Sequence, residues 1–251
     1  MSLITLLTDL GTADGYVPEM KGVLATHAPF ATVMDLSHDI AAHDVDAARL
    51  TVARFWRRFP IGTVHCVVVD PGVGSARAAL AVHADGRLLV GPDNGVLSPA
   101  LLSPGARAVA LEVPAELAPA FHGRDVFAPA AARMAGGVAL ESLGEPVEAP
   151  VVRRTPEARR MRDGWIEGVV LSIDRFGNAI TNVLARGVTE VRVGDQALRV
   201  VRTYAALGER EVGALSGSSG LLELSMAGAS AAARLGLSVG TRVRVWRASD
   251  R

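Results

Sequence analysis

The chain of 251 residues contains one cysteine, Cys66, and one lysine, Lys21, and aromatic side chains make up only 4% of it. A lone cysteine excludes an intramolecular disulfide and any cysteine-based metal cluster, and it fits a reducing compartment. Because Cys66 lies inside the apolar run VHCVVV, it reads as a buried structural thiol rather than a nucleophile. Arginine carries nearly all the positive charge, a skew better explained by a GC-rich genome than by function. Acidic and basic residues balance to a net charge of zero, so nothing electrostatic favours nucleic acid or an anionic membrane as a partner. No apolar run approaches the ~20 residues that span a bilayer. The opening MSLITLLTD has no basic segment and reaches Asp9 too early for a signal peptide. The expectation is a soluble, cytoplasmic protein whose core, at 49% hydrophobic content, is built from Ala, Val and Leu.

What is present is alternation. Apolar runs over 3–8, 32–35, 64–69 and 109–113 read as strands. The patterns over 17–27, 44–59 and 126–134 read as helices, with Asp44 placed to cap the second. Residues 80–83 and 88–90 flank Ala84-Asp85-Gly86-Arg87 and read as a hairpin. Strands alternating with helices predict an α/β domain over 1–155, with a mixed central sheet flanked by helices. The Pro- and charge-rich stretch 145–163 is the boundary candidate. Beyond it, 165–173, 188–193, 198–202, 221–224 and 242–246 read as strands of a smaller β-rich domain over 164–251, a sandwich or barrel.

The most informative stretch is VHCVVVDPGVGSAR, residues 64–77. An apolar run that stops on Asp70 reads as a buried strand whose last side chain emerges at the carboxyl edge of a sheet, where ligands of open α/β sheets bind. Pro71 keeps Asp70 out of the helical region, Gly72 and Gly74 permit a tight turn, and Arg77 brings a permanent cation within reach of the carboxylate. By itself the pair also fits a structural salt bridge. Asp9 and Asp35 end two other strands, which predicts that at least two of the three aspartates line one site. Phe121-His122-Gly123-Arg124-Asp125 offers an imidazole that can exchange a proton near neutrality beside a helix start. Asp125 alternatively caps that helix, and Arg124 pairs with a surface carboxylate. Asp174-Arg175-Phe176-Gly177-Asn178 is either an exposed turn or an amide aimed at a heteroaromatic edge. Ser216-Gly217-Ser218-Ser219-Gly220 is either a flexible linker or a backbone nest for an anion. Asp9, Asp35, His38 and Asp39 could supply metal ligands, but no spaced histidine pair supports a metal site. His43 and His65 read as packing or loop residues.

Taken in order, TDLGTADGYVPEMKGV, VVVDPGVGSAR, GPDNGVLS, FHGRDVFAPAAA, IDRFGNAITN and SGSSGLLELSMAGASAA resemble the S-adenosylmethionine hydroxide adenosyltransferases, relatives of the fluorinating and chlorinating enzymes, over essentially the whole chain. The resemblance implies an N-terminal α/β domain and a smaller β-rich domain. It also implies a homotrimer whose sites lie between the N-terminal domain of one subunit and the C-terminal domain of the next. It places the water-activating set on Asp70, Arg77 and His122, and the grip on both ribose hydroxyls on Asp9. It places the adenine-reading amide on Asn178, the carboxylate for the methionine ammonium on Asp174, and the hydroxyl near the methionine carboxylate on Ser218. Phe121 and Phe176 supply apolar walls, and Ser219 and Gly228 complete the substrate-binding set.

The fluorinating relatives differ from this chain at Asp70 (an aromatic), His122 (tyrosine) and Gly123 (serine). Those differences favour hydrolysis of S-adenosyl-L-methionine to adenosine and L-methionine over halogenation. Where some relatives have arginine against adenine, this chain has Met226, which leaves that contact open. No cofactor is implied, since the sulfonium is already a good leaving group. The alternatives are a halogenase, a non-catalytic sensor of adenosine or S-adenosylmethionine, and a metal-dependent phosphohydrolase.

Overall fold

Alternating strands and helices assemble the first part of the chain into an α/β layer. In the computed structural model, which describes residues 2–114 and 120–248, one unit runs to Arg154 and a second begins at Thr155. The first contains β1 (Ser2–Thr8), α1 (Tyr16–His27), β2 (Ala31–Ser37), α2 (Val45–Phe55), β3 (Val64–Val68), β4 (Ala79–Ala84), β5 (Arg87–Pro92), α3 (Ser98–Leu101), β6 (Arg107–Leu111), α4 (Ala128–Ala135) and β7 (Gly144–Pro146). Its sheet has the order β2-β1-β3-β5-β4-β6-β7. Strands β2, β1, β3 and β5 pair in parallel, and β4, β6 and β7 join antiparallel, giving the mixed sheet that the sequence predicts.

Strand β3 is central and covered on both faces, which is why its sequence is almost unbroken apolar. Cys66 and Val68 pack with Ile4, Leu6, Met20, Leu24 and Phe127 on the face covered by α1 and α4. Val67 and Val69 pack with Leu7, Val52, Trp56 and Leu97 on the opposite face. Burial pushes the Cys66 thiol up to about 12, so it stays protonated. His65 is the polar exception. Its Nδ1 lies 2.7 Å from Thr5 Oγ1 and its Nε2 3.1 Å from the Trp56 carbonyl.

The second helix is shorter than its apolar pattern. Asp44 caps it by accepting from the Ala47 N–H at 2.8 Å, but it ends at Phe55 and tightens into a 3₁₀ turn, Trp56–Arg58. Pro60 disfavours the helical region for Phe59, which is extended at φ −82° and ψ 155°.

The second unit contains β8 (Arg159–Arg160), β9 (Ile166–Ile173), β10 (Ala179–Leu184), β11 (Val188–Val193), β12 (Gln196–Val200), β13 (Val212–Ser216), β14 (Leu221–Met226), α5 (Ala231–Leu235) and β15 (Arg242–Arg247). Strands β9 to β15 close into a seven-stranded barrel in the order β10-β14-β13-β12-β11-β15-β9 and back to β10, with β8 appended to β9. Val170, Ala179, Val191, Leu222, Leu224 and Val243 fill it. Strands β10 and β13 and helix α5 are additions to the sequence reading. In β13, Gly213 interrupts the apolar pattern because a Cβ there would stand 2.5 Å from Leu207 Cδ2 and 2.9 Å from the Arg199 carbonyl. Residues 156–163, outside both predicted domains, belong to this unit. Asn182 Nδ2 donates to the Pro156 carbonyl at 2.8 Å, and β8 pairs with β9. No helix among the described residues is long and apolar enough to cross a membrane.

Candidate active site

Parallel pairing of β1 with β3 puts the residues that follow both strands at the same sheet edge. There Asp9 and Asp70, with Leu10, Tyr16, His43, Val73, Phe121, His122 and Gly123, line a cleft of about 290 Å³. Two of the three strand-end aspartates therefore share one cleft. Asp35 is not the third: it pairs with Lys21 Nζ at 2.5 Å, and one of its oxygens lies 3.1 Å from His38 Nε2.

Asp70 and Arg77 face each other across a tight loop in which Val73 N–H donates to the Asp70 carbonyl and Ser75 N–H to that of Gly72. The guanidinium grips the carboxylate with both arms. Nε donates to Oδ1 at 2.8 Å, and Nη2 donates to Oδ2. Nη2 also donates to His122 Nδ1 at 2.9 Å, and Nη1 to the Ala78 carbonyl at 3.2 Å. The ring of Phe127 lies beneath the guanidinium, 5.4 Å from its carbon. The side chains of Arg77 and Asp70 are only 10% and 6% exposed. A planar fork that satisfies two carboxylate oxygens and an imidazole at once is a task for arginine, not lysine.

His122 sits just before a π-type turn, Gly123–Phe127, that leads into α4. Its pKa is lowered from the usual histidine value, first by burial and then by the positive charge of Arg77, with Asp70 and Asp125 acting in the opposite direction. Because an arginine N–H can only donate, the Nδ1 that receives it is unprotonated, and the neutral ring carries its hydrogen on Nε2. Asp125 does not cap the helix: it lies inside the π-type turn Gly123–Phe127 that precedes α4. It instead takes two hydrogen bonds from Arg124, whose Nη1 reaches Glu19 at 2.7 Å.

Asp9 accepts from the His43 backbone N–H through Oδ2 at 2.8 Å, and its other oxygen, Oδ1, is not used by that bond. Phe121 forms an apolar wall, stacked edge-to-face on Tyr16 with centroids 5.1 Å apart. Tyr16 and His43 are cleft residues that the sequence reading missed. His43 reads as an ordinary loop residue, and only its positive φ of 67°, invisible in sequence, sets it apart.

In the second unit, Asp174, Phe176 and Asn178 occupy the turn between β9 and β10. Asp174 Oδ1 accepts from the backbone N–H groups of Phe176 and Asn178, and Oδ2 from Asn178 Nδ2, all at 2.9 Å. Phe176 projects outward, 77% exposed. Gly177 has φ 81°, and a Cβ there would fall 2.1 Å from Ser230 Oγ, so the turn needs glycine and packs against the start of α5. Gly228, two residues before Ser230, belongs to this end of the barrel. Ser218 and Ser219 stand on the turn joining β13 to β14. That turn is a hairpin connection rather than a linker, and it lies at the Leu184 end of β10, where Ala185 N–H donates to the Gly220 carbonyl. Between the two ends lies Glu223, buried beneath Gly217 and bonded to Tyr204 Oη at 2.9 Å.

Comparison with known proteins aligns both units with one pair of domains. Residues 4–144 match the SAM hydroxide adenosyltransferase N-terminal domain, and residues 168–244 match its C-terminal domain. The (R)-S-adenosyl-L-methionine hydrolase of Thermus thermophilus is 42% identical, covering 98% of this chain and 100% of that protein. The protein of the same name from Salinispora tropica is 37% identical over 96% and 97%. A fluorinase from an Actinoplanes species is more distant, 27% identical over 77% of this chain and 76% of its own. A crystal structure of an uncharacterized conserved protein from Thermotoga maritima superposes with a TM-score of 0.88 at 28% identity, covering 97% of this chain and 100% of that one.

Proposed function

The chain belongs to the SAM hydroxide adenosyltransferase family, and from that membership we propose that it is an enzyme that hydrolyses S-adenosylmethionine to adenosine and L-methionine. The observation that carries this reading to particular residues is the Asp70–Arg77–His122 cluster opening onto the cleft that also holds Asp9. The relatives' shared name specifies the R configuration at sulfur, and that epimer is taken as the preferred substrate.

A water held at Asp70 attacks the ribose 5′ carbon in line with the C5′–S bond. As the C–O bond forms, the C–S pair passes to sulfur, whose positive charge is neutralised in the methionine thioether. The water's proton goes to Asp70. Each Asp70 oxygen accepts one Arg77 hydrogen bond and retains a lone pair for the water. His122, with Nδ1 occupied by Arg77, presents Nε2–H and orients the oxygen rather than taking its proton. General-base help of this kind contributes about 10²–10⁴-fold, and in-line positioning adds to it. The leaving group carries its own activation, so the step needs no metal or other cofactor.

Asp9 has oxygens to accept both ribose hydroxyls. Asn178 serves the adenine edge, Asp174 the methionine ammonium, and Ser218 and Ser219 its carboxylate. Gly228 stands at the barrel end that carries Asp174 and Asn178, and Phe121 and Phe176 cover apolar surface. Because these groups are divided between the two units, the reading includes a homotrimer in which one subunit's Asp9 and Asp70 face the next subunit's Asp174 and Asn178. A cytoplasmic location, where S-adenosylmethionine is made and used, completes it.

Incubation of the protein with either sulfonium epimer in ¹⁸O water, with and without chloride, tests the reading. Labelled adenosine is expected, formed faster from the R epimer. Chlorodeoxyadenosine would move the protein to the halogenating branch, and binding without turnover would make it a sensor. Asp70→Asn keeps the shape but loses the base. It is expected to abolish hydrolysis while adenosine still binds, and a retained rate would overturn the assignment.

A further inference from the structure

The buried residue His38 belongs to none of the roles above, yet the hydrogen bonds on both sides of Asp9 lead back to it. Thr8, at the end of β1 and wholly buried, places Oγ1 2.9 Å from His38 Nδ1. The same hydroxyl accepts from Leu10 N–H at 3.2 Å. Gly11 N–H donates to the His38 carbonyl at 2.9 Å. The residues on either side of Asp9 are thus fastened to one histidine. Asp9 itself accepts from the backbone of His43, five residues further along the same loop. On its far side, His38 Nε2 lies 3.1 Å from Asp35 Oδ1, which in turn pairs with Lys21.

His38 Nε2 faces the Asp35 carboxylate at 3.1 Å without an aligned hydrogen bond; in the neutral ring with its hydrogen on that side, Nδ1 receives the Thr8 hydroxyl proton. That orientation turns a Thr8 lone pair toward Leu10 N–H. Donation therefore runs from Leu10 N–H to Thr8 and from Thr8 to His38, which ties the turn carrying Asp9 to the imidazole.

We propose that His38 is a positioning residue for Asp9: through Thr8 and Gly11 it holds the turn so that the Asp9 carboxylate meets both ribose hydroxyls of the nucleoside. The proposal rests on the reading that Asp9 grips the ribose. It concerns only the bound geometry of that half of the substrate. Loss of the relay therefore weakens ligands that carry the two hydroxyls and spares ligands that lack them, a distinction that general loosening of the fold would not make.

Thr8→Val removes the hydroxyl at nearly constant volume, and Thr8→Ser restores it. Calorimetric binding of adenosine and of 2′,3′-dideoxyadenosine is measured for the wild type and both variants. In Thr8→Val the adenosine Kd is expected to rise about tenfold, the scale of one lost hydrogen bond. Its dideoxyadenosine Kd stays unchanged, Thr8→Ser binds like wild type, and KM rises with little change in kcat. His38→Asn, too short to span Thr8 and Asp35, is expected to follow Thr8→Val. Equal weakening of both ligands, or identical behaviour of the two Thr8 variants, overturns the proposal. If the wild type itself binds the two nucleosides equally, the ribose assignment of Asp9 fails first and the proposal falls with it.

Discussion

Arg77 Nη2 donates to His122 Nδ1 across 2.9 Å, and that one bond determines which nitrogen of the imidazole carries hydrogen. A protonated His122 would place an N–H where the arginine already donates, bringing two cations together in a cleft only partly open to water. Burial and the Arg77 charge both hold the ring neutral, against the opposing pull of Asp70 and Asp125.

The acid limb of activity follows from this arrangement. The competent ring is neutral, and its pKa lies below the usual 6.5, so kcat/KM is expected to stay level as pH falls through that value. It then drops with unit slope at a lower pH, as the ring protonates and breaks the bond from Arg77. A pH–rate profile checks the position of the limb, which is expected to move in His122→Asn, whose side chain cannot titrate, while the Asp70 base remains. A limb centred above 6.5 would show that burial and Arg77 do not hold the ring neutral, and activity that rises as pH falls through the histidine range would make the imidazolium the working form.

Arg77→Lys retains the charge and removes the fork. One ammonium cannot reach both Asp70 oxygens, the His122 nitrogen and the Ala78 carbonyl, and it loses the guanidinium's cation–π contact with the Phe127 ring. With Asp70 free to turn, kcat is expected to fall about 10²-fold, the scale of an ångström-sized misplacement. KM changes little, because Asp9 and the nucleoside contacts are untouched. Steady-state kinetics separates the two parameters.

His65 couples the central strand to pH in a way that concerns stability rather than catalysis. Burial lowers its pKa to about 4 from the usual 6.5, so between these values the unfolded chain binds a proton that the folded chain refuses. Stability contributed by the neutral ring is complete above pH 6.5 and is lost as pH falls toward 4. The loss amounts to about 3 kcal/mol over the full interval. Urea unfolding as a function of pH, compared with His65→Gln, isolates the effect. The wild type is expected to lose more stability than the variant across that window, and parallel curves would refute it.

How far these features were legible in the sequence depended on whether they rested on local pattern. The run ending at Asp70 announced a buried strand because β3 is covered on both faces, and Arg77 was near enough in sequence to suggest its partner. The first unit's mixed sheet followed from the hairpin around Asp85 and Gly86. In the barrel, β13 escaped notice because tight packing of Gly213 against Leu207 demands a residue that weakens the strand pattern. The fate of Asp35 was equally hidden. It ends its apolar run just as Asp9 and Asp70 do, and only the pairing with Lys21 and His38, fourteen residues before it in one case and three after it in the other, draws it out of the cleft. Tyr16 and His43 carried no signal, since what brings them to the site is the packing of Phe121 and a positive φ.

Gly123 separates the need for a small residue from the chemistry of its neighbour. A Cβ at this position would stand 2.8 Å from Phe121 Cε2 and 3.2 Å from Met20 Sδ. The methionine is flexible and yields. The Phe121 ring is held against Tyr16 on one side and by the Arg124 guanidinium, 5.4 Å from its centroid, on the other. Gly123→Ala therefore moves the wall of the cleft rather than the core. Alanine's higher helical propensity, worth up to about 1 kcal/mol, offsets part of the strain, so the melting temperature is expected to change little. The adenosine Kd is expected to rise about tenfold, since a displaced ring gives up contacts of the order of one to two kcal/mol. Shortening the ring by Phe121→Leu in the Gly123→Ala background vacates the colliding position. The double variant is then expected to bind adenosine no more weakly than Phe121→Leu alone. Strictly additive losses in that cycle would mean that Gly123 acts through something other than Phe121.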